Sequence, residues 1–226
     1  MGEPNGNQKR VAELVLQVRP NIRMSTTMLA ASLAYDKGMQ NIYGAKELAA
    51  SFRTVRQNTI QVAEDIPENK YNFTPAEGTR SVEQALAHIA VSTRMWQEAH
   101  ASGTTNMHEY DWATAFVEIE AEEKKKRSKK ELVALLKKEG ERFTQFLEGL
   151  SDEKLAEQIT EDPSQPTKSR LEGLMSPKEH EMHCRGQLML IERMLGIVPH
   201  LTRKYAEMER EMRESTEKKS RQTARA

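Results

Sequence analysis

Apolar side chains recur along this chain at alternating steps of four and three residues, with no sustained alternation at steps of two. Leu48, Phe52, Val55, Thr59, Val62 and Ile66 fall in this way on one face of a first helix. A helix with one apolar stripe has to bury it against other helices, whereas a half-buried strand needs period-two alternation. The pattern therefore restricts the chain to an all-α fold. Aromatic residues make up only 5% and charged residues 30%, which leaves strands hard to place anywhere.

Punctuation fixes how many helices there are. "IPENKYNFTPAEGT" breaks the first with Pro67, Pro75 and Gly78. Ser81 and Gln84 form a capping box that opens a second helix, with Val82, Leu86, Ile89, Thr93 and Trp96 as its stripe. A loop is predicted from Ala101 to Trp112, then a helical or partly ordered connector through "ATAFVEIEAEEKKKR". Ser128 with Glu131 opens a third helix through Leu132, Leu135, Leu136, Phe143, Phe146 and Leu147. "SDEKLAEQIT" reads as one short helix and "EDPSQPTKSR" as a loop. Ser176 as N-cap, Pro177 at the first helical position and Glu179 closing the box give the fourth helix the strongest start signal, and Gly196 and Pro199 end it. Four long amphipathic helices predict a four-helix bundle over residues 41–203, after an N-terminal extension at 1–40 and before a charged helical or disordered tail at 204–226.

Charge and cysteine content narrow the partners. Lys plus Arg, 34, balances Asp plus Glu, 34, so no global field draws in nucleic acid or a membrane surface. The run "KKKRSKK" from Lys124 to Lys130 follows "EIEAEE" and carries no interleaved aromatics, and it reads as a solvated helix junction. Apolar runs such as "LMLI" fall far short of the roughly 20 residues of a membrane span. The N-terminal apolar stretch is broken by Ser25, Thr26, Thr27 and Ser32, unlike a signal peptide. One cysteine excludes an internal disulfide framework and fits a reducing, cytoplasmic setting.

Chemistry concentrates in "SPKEHEMHCRGQ", residues 176–187. At about 100° per residue, Cys184, Leu188, Ile191, Leu195 and Val198 define the inward face, and His180 projects from the same face one turn earlier. An i, i+4 pair can chelate one ion, and imidazole and thiolate are both good zinc ligands. His183 lies on the flank, while Met182 and Met189 lie nearly opposite. His88 falls on the edge of the second helix's stripe, beside Ala85 and Ser92, and is the candidate third ligand. A buried core cysteine and hydrogen-bonded edge histidines are the competing reading. His100, His108 and His200 have no helical partner and read as surface or loop residues.

"ALAHI" followed by Trp96, and "EHEMHCRGQL" leading into "ERMLGIVPHLT", resemble the DinB-like family, which includes YfiT-type metal-dependent enzymes; the likeness spans roughly residues 45–203. That resemblance implies a four-helix bundle holding a divalent metal with three histidines, one from the second helix and two spaced i, i+4 on the fourth. Carried over, the ligands are His88, His180 and position 184, with His183 as the alternate. Here position 184 is Cys184, which makes either a two-histidine, one-cysteine site or a damaged one. The thiolate favours zinc, with nickel as the alternative. Gln187 is expected to face inward and support a ligand, and Arg185 to project toward the flank or solvent. The resemblance further implies a homodimer and a thiol transferase or hydrolase working with a low-molecular-weight thiol or water. A non-catalytic dimeric bundle with a structural or vestigial metal site is the alternative, and Met175, Met182, Met189 and Met194 are its candidate contact surface.

Overall fold

The computed structural model describes residues 43–223, so the predicted extension at 1–40 lies outside the described residues. Four long helices form, the first three with the expected stripes buried or partly buried. They are α1 (Ala45–Asp65), α2 (Val82–Ala101), α4 (Lys129–Glu148) and α7 (Ser176–Met194), with the connector α3 (Trp112–Glu123) between the second and third. Short helices α5 (Asp152–Ala156) and α6 (Arg170–Gly173) flank a hairpin of β1 (Gln158–Ile159) and β2 (Lys168–Ser169), paired antiparallel. The tail is α8 (His200–Thr223), exposed along almost all of its length. Among the described residues no helix is long and apolar enough to cross a membrane.

The packing order is not that of a simple up-and-down bundle. Helix α1 packs on α4 and α7, and α2 packs on the same two, so the first two bundle helices face each other across the diagonal. The segment between them crosses one end of the bundle. It is anchored there by the Tyr71 hydroxyl, which donates to Ala63 O at 2.7 Å, and by Glu83 N, which donates to Tyr71 O at 2.8 Å. Leu48, Phe52, Val55, Thr59, Val62 and Ile66 are all buried. The capping boxes at Ser81 and Ser128 form as expected.

Several local expectations are corrected. Ser176 does not cap α7; the turn of α6 runs almost directly into it, and Met175 stands at the cap position with no side-chain bond. Met175 N donates to Glu172 O and Glu179 N to Met175 O, so backbone groups satisfy what the serine would have. Val198 lies beyond α7 and is 52% exposed, because Gly196 at φ 78° turns the chain away first. The predicted loop at 101–112 contains a 3-10 turn at Met107–Glu109, and the two-proline loop closes the small hairpin. Met175 and Met189 are partly buried against the core, which leaves Met182 and Met194 exposed. In the basic run, Lys129 Nζ donates to Glu64 O at 2.6 Å and Ile66 O at 2.8 Å, closing the C-terminal carbonyls of α1.

One charged node joins all four bundle helices. Arg56 of α1 is 3% exposed and meets Glu181 of α7 at 3.0 Å; it also donates to Leu136 O of α4 at 2.8 Å and Ile89 O of α2 at 3.3 Å. Gly140 makes room for it, since a Cβ there would lie 2.7 Å from Arg56 Cγ. Gly140→Ala is therefore expected to destabilise the bundle by about 1–3 kcal/mol despite alanine's better helix propensity, measured by urea unfolding.

Candidate metal centre

His88 on α2 and His180 and Cys184 on α7 converge at the edge of the core. One ligand-capable atom from each lies within 4.8 Å of the others. His88 Nε2 and His180 Nε2 are 3.0 Å apart, and Cys184 Sγ is 3.6 Å from His180 Nε2. A tetrahedral zinc, with Zn–N of about 2.0 Å and Zn–S of about 2.3 Å, keeps such donors about 3.5 Å apart, so the donor types suit that ion and the two separations from His180 lie close to its spacing. The Trp96 ring packs beside His180 with centroids 5.1 Å apart.

Electrostatics prepare the imidazoles as neutral donors. Burial, reinforced by His88, His183 and Arg80, pushes the His180 pKa down to about 4. Burial also lowers that of His88, with Arg80 adding to it and Glu123 opposing. The Cys184 thiol shifts the other way, upward, chiefly through burial. Metal binding would therefore have to displace its proton.

A fourth residue completes the arrangement and was not singled out in the sequence. Glu123, at the end of α3, accepts from His88 Nδ1 at 2.8 Å. That fixes the proton on Nδ1 and leaves Nε2 as a lone pair facing His180. Arg80 in turn holds Glu123, with Nε at 2.7 Å and Nη2 at 3.2 Å from its two oxygens. The signal was one of phase: Ala115, Ile119 and Glu123 are spaced i, i+4, i+8, and the first two are buried on α3. Within "EIEAEE" a glutamate on that face looks like its neighbours.

The other candidates separate. His183 is exposed and bonds Gln187 at 2.9 Å, away from the trio. Gln187 is exposed too, which corrects its inward placement. Arg185 is the reverse correction: it is 7% exposed and donates to Val55 O at 3.0 Å. His100, expected at the surface, is 2% exposed, with Arg170 Nη1 3.2 Å from its Nδ1; burial and that guanidinium push its pKa down to about 4. His108 is exposed in its loop, and His200 is half-buried against Asn58 Oδ1 at 3.2 Å.

On α7 one face accounts for the placements of Arg185 and Gln187. The buried side of α7 runs through Pro177, Glu181, Cys184, Arg185, Leu188, Ile191 and Glu192, so three charged residues occupy positions that the apolar pattern assigned elsewhere.

With this geometry in place, the sequence profile of the DinB superfamily matches residues 51–188, more than half of the chain. The chain belongs to the DinB superfamily. Among its DinB-like relatives, the uncharacterised protein YjoA of Bacillus subtilis (strain 168) is 26% identical over 155 residues, which is 67% of this chain and 91% of YjoA. The crystal structure of YjoA, described as DinB-like, matches with a TM-score of 0.50 at 25% identity, covering 66% of this chain and 92% of that one. YfiT from Bacillus subtilis, described as a probable metal-dependent hydrolase with an unusual four-helix bundle topology, matches with a TM-score of 0.54 at 17% identity, covering 70% and 92%. The DinB-superfamily match spans all of α2, α3 and α4, and on α7 it reaches Leu188, so all three candidate ligands fall inside it.

Proposed function

We propose that this DinB-superfamily protein is a metal-dependent enzyme, a hydrolase or thiol transferase, that holds one divalent ion through His88, His180 and Cys184. The observation carrying this reading is the convergence of three donor atoms within 4.8 Å, one of them oriented by a carboxylate. The description of YfiT, which has a similar fold, agrees with it. When bound, such an ion would acidify a water or thiol nucleophile and polarise an electrophile. Glu123 keeps the His88 proton on Nδ1, Arg80 holds Glu123 in place, and Trp96 packs against the His180 ring. A thiolate beside two imidazoles favours zinc, with nickel as the alternative, over magnesium or calcium.

The test is elemental mass spectrometry on untagged protein beside His180→Ala and Cys184→Ala. Near one zinc or nickel per chain, lost in both variants, is the expected result. Metal retained without Cys184 would give the third position to His183 or water, and no metal after supplementation would overturn the reading. Glu123→Gln is expected to weaken metal affinity about 10–100-fold, measured by competition with a chromogenic chelator. Chelation is expected to leave the helical signal intact; unfolding on chelation would make the ion structural.

The dimeric module has its own observation: Tyr205, Met208 and Met212 recur on one face of α8 and are exposed. A dimer through that face would be lost in Met208→Glu, as read by sedimentation.

A further inference from the structure

Beside the trio lies a cleft of about 700 Å³, within the roughly 300–1,000 Å³ range of small-molecule sites. It is bounded by α2, the end of α3, α7 and the segment that precedes α2. Its two walls differ in chemistry. Leu190, Ile191 and Met194 of α7, with Ala85 of α2, make one side apolar, and Leu190 and Met194 are 60% and 53% exposed. The other side is charged: Arg80 and Glu123, which bonds His88, stand there with Lys124 and Glu120, themselves paired at 3.8 Å.

Arg80 is the informative group. Its Nε and Nη2 are engaged by Glu123, while Nη1 has no hydrogen-bond or ion-pair partner among the described residues. Its side chain is 48% exposed. A guanidinium locked by one carboxylate, with a free N–H edge on a cleft, is preorganised for a second anion. The apolar wall beside it offers a surface for hydrocarbon, with Leu190 and Met194 more than half exposed.

We propose that this cleft binds a small anionic amphiphile, its anionic head against Arg80 and its hydrocarbon portion along Ala85, Leu190, Ile191 and Met194. The inference deepens the enzyme reading above by giving its substrate a chemical class, one that sets the head group next to the residue that orients His88.

Octanoate, octanol and octylamine serve as probes, titrated by calorimetry into metal-loaded and chelator-treated protein. Octanoate is expected to bind at least about tenfold more tightly than either of the others in both preparations, as a charge-assisted hydrogen bond implies. Arg80→Gln should erase that preference. Met194→Glu, at an exposed position, should weaken octanoate and octanol together while leaving helicity and metal content unchanged. Equal affinity for octanoate and octylamine, or octanoate binding unchanged in Met194→Glu, would overturn the proposal. So would a preference seen only with metal and surviving Arg80→Gln, because the head would then sit on the ion. Metal content is read separately, so a metal-free protein that still selects octanoate through Arg80 would sink the enzyme reading and keep the cleft.

Discussion

Replacing Arg56 by methionine is expected to lower the stability of the bundle by about 3–5 kcal/mol, read from urea unfolding, because it leaves a buried carboxylate unpaired. Glu181 is 1% exposed, and its charged partner in the core is Arg56, whose Nε lies 3.0 and 3.1 Å from its two oxygens. The loss also frees the carbonyls of Leu136 and Ile89, which hold α4 and α2 to the same guanidinium. Glu181→Ala should cost a similar amount for the mirror-image reason. The double variant Arg56→Met with Glu181→Leu should recover much of the loss, since an apolar pair has no charge to desolvate. Additive costs in that cycle would contradict a coupled pair. Glu181 directly follows His180, so either single variant is also expected to reduce metal binding by loosening the helix that presents the ligand.

Glu192→Gln is expected to stabilise the protein by about 3 kcal/mol above pH 7 and to change it little near pH 4.5. Glu192 is fully buried, and neither carboxylate oxygen has a hydrogen-bond partner among the described residues. Burial, with Asp65 adding to it and Arg203 and Arg193 opposing, pushes its pKa up from 4.5 to about 7. A group whose folded pKa is raised favours folding below its unfolded value and loses that contribution as pH rises through the folded one. The relevant window is therefore about pH 4.5–7. His100 and His180, both lowered to about 4, act oppositely over about pH 4–6.5, gaining stability as pH rises. The quantity to measure is thus the difference between wild type and Glu192→Gln at each pH. A difference independent of pH would mean that Glu192 does not titrate in that window.

The four bundle helices, the stripes of the first three and two of the three capping boxes were legible because they depend on local periodicity and on side chains reaching their own backbone, whereas α6 and the β1–β2 hairpin were not. Leu86 and Ile89 of α2, and Leu132, Leu136, Phe143 and Leu147 of α4, are buried where the spacing put them. The pairing of His180 with Cys184 is a property of one turn of helix and needs no tertiary information. His88 stands at the edge of its stripe, and its phase pointed to that position.

Tertiary structure decided the rest, and one physical cause recurs. Hydrophobic periodicity assigns charged residues to solvent, but a bundle can bury a charge when another element supplies its partner. Arg56 and Glu181 find each other 125 positions apart, Arg170 reaches His100 across 70, and Glu123 reaches His88 across 35. Glu181, Arg185 and Glu192 widened the buried face of α7 beyond the stripe of Cys184, Leu188 and Ile191 while Gln187 lies outside it, and Gly196 left Val198 beyond the helix end. The diagonal placement of α1 and α2 likewise depends on which faces meet, because each stripe alone is compatible with more than one neighbour. The sequence by itself determined the helices and the local geometry of the ligand pair; only the folded chain decided which charges would be buried and which carboxylate would orient His88.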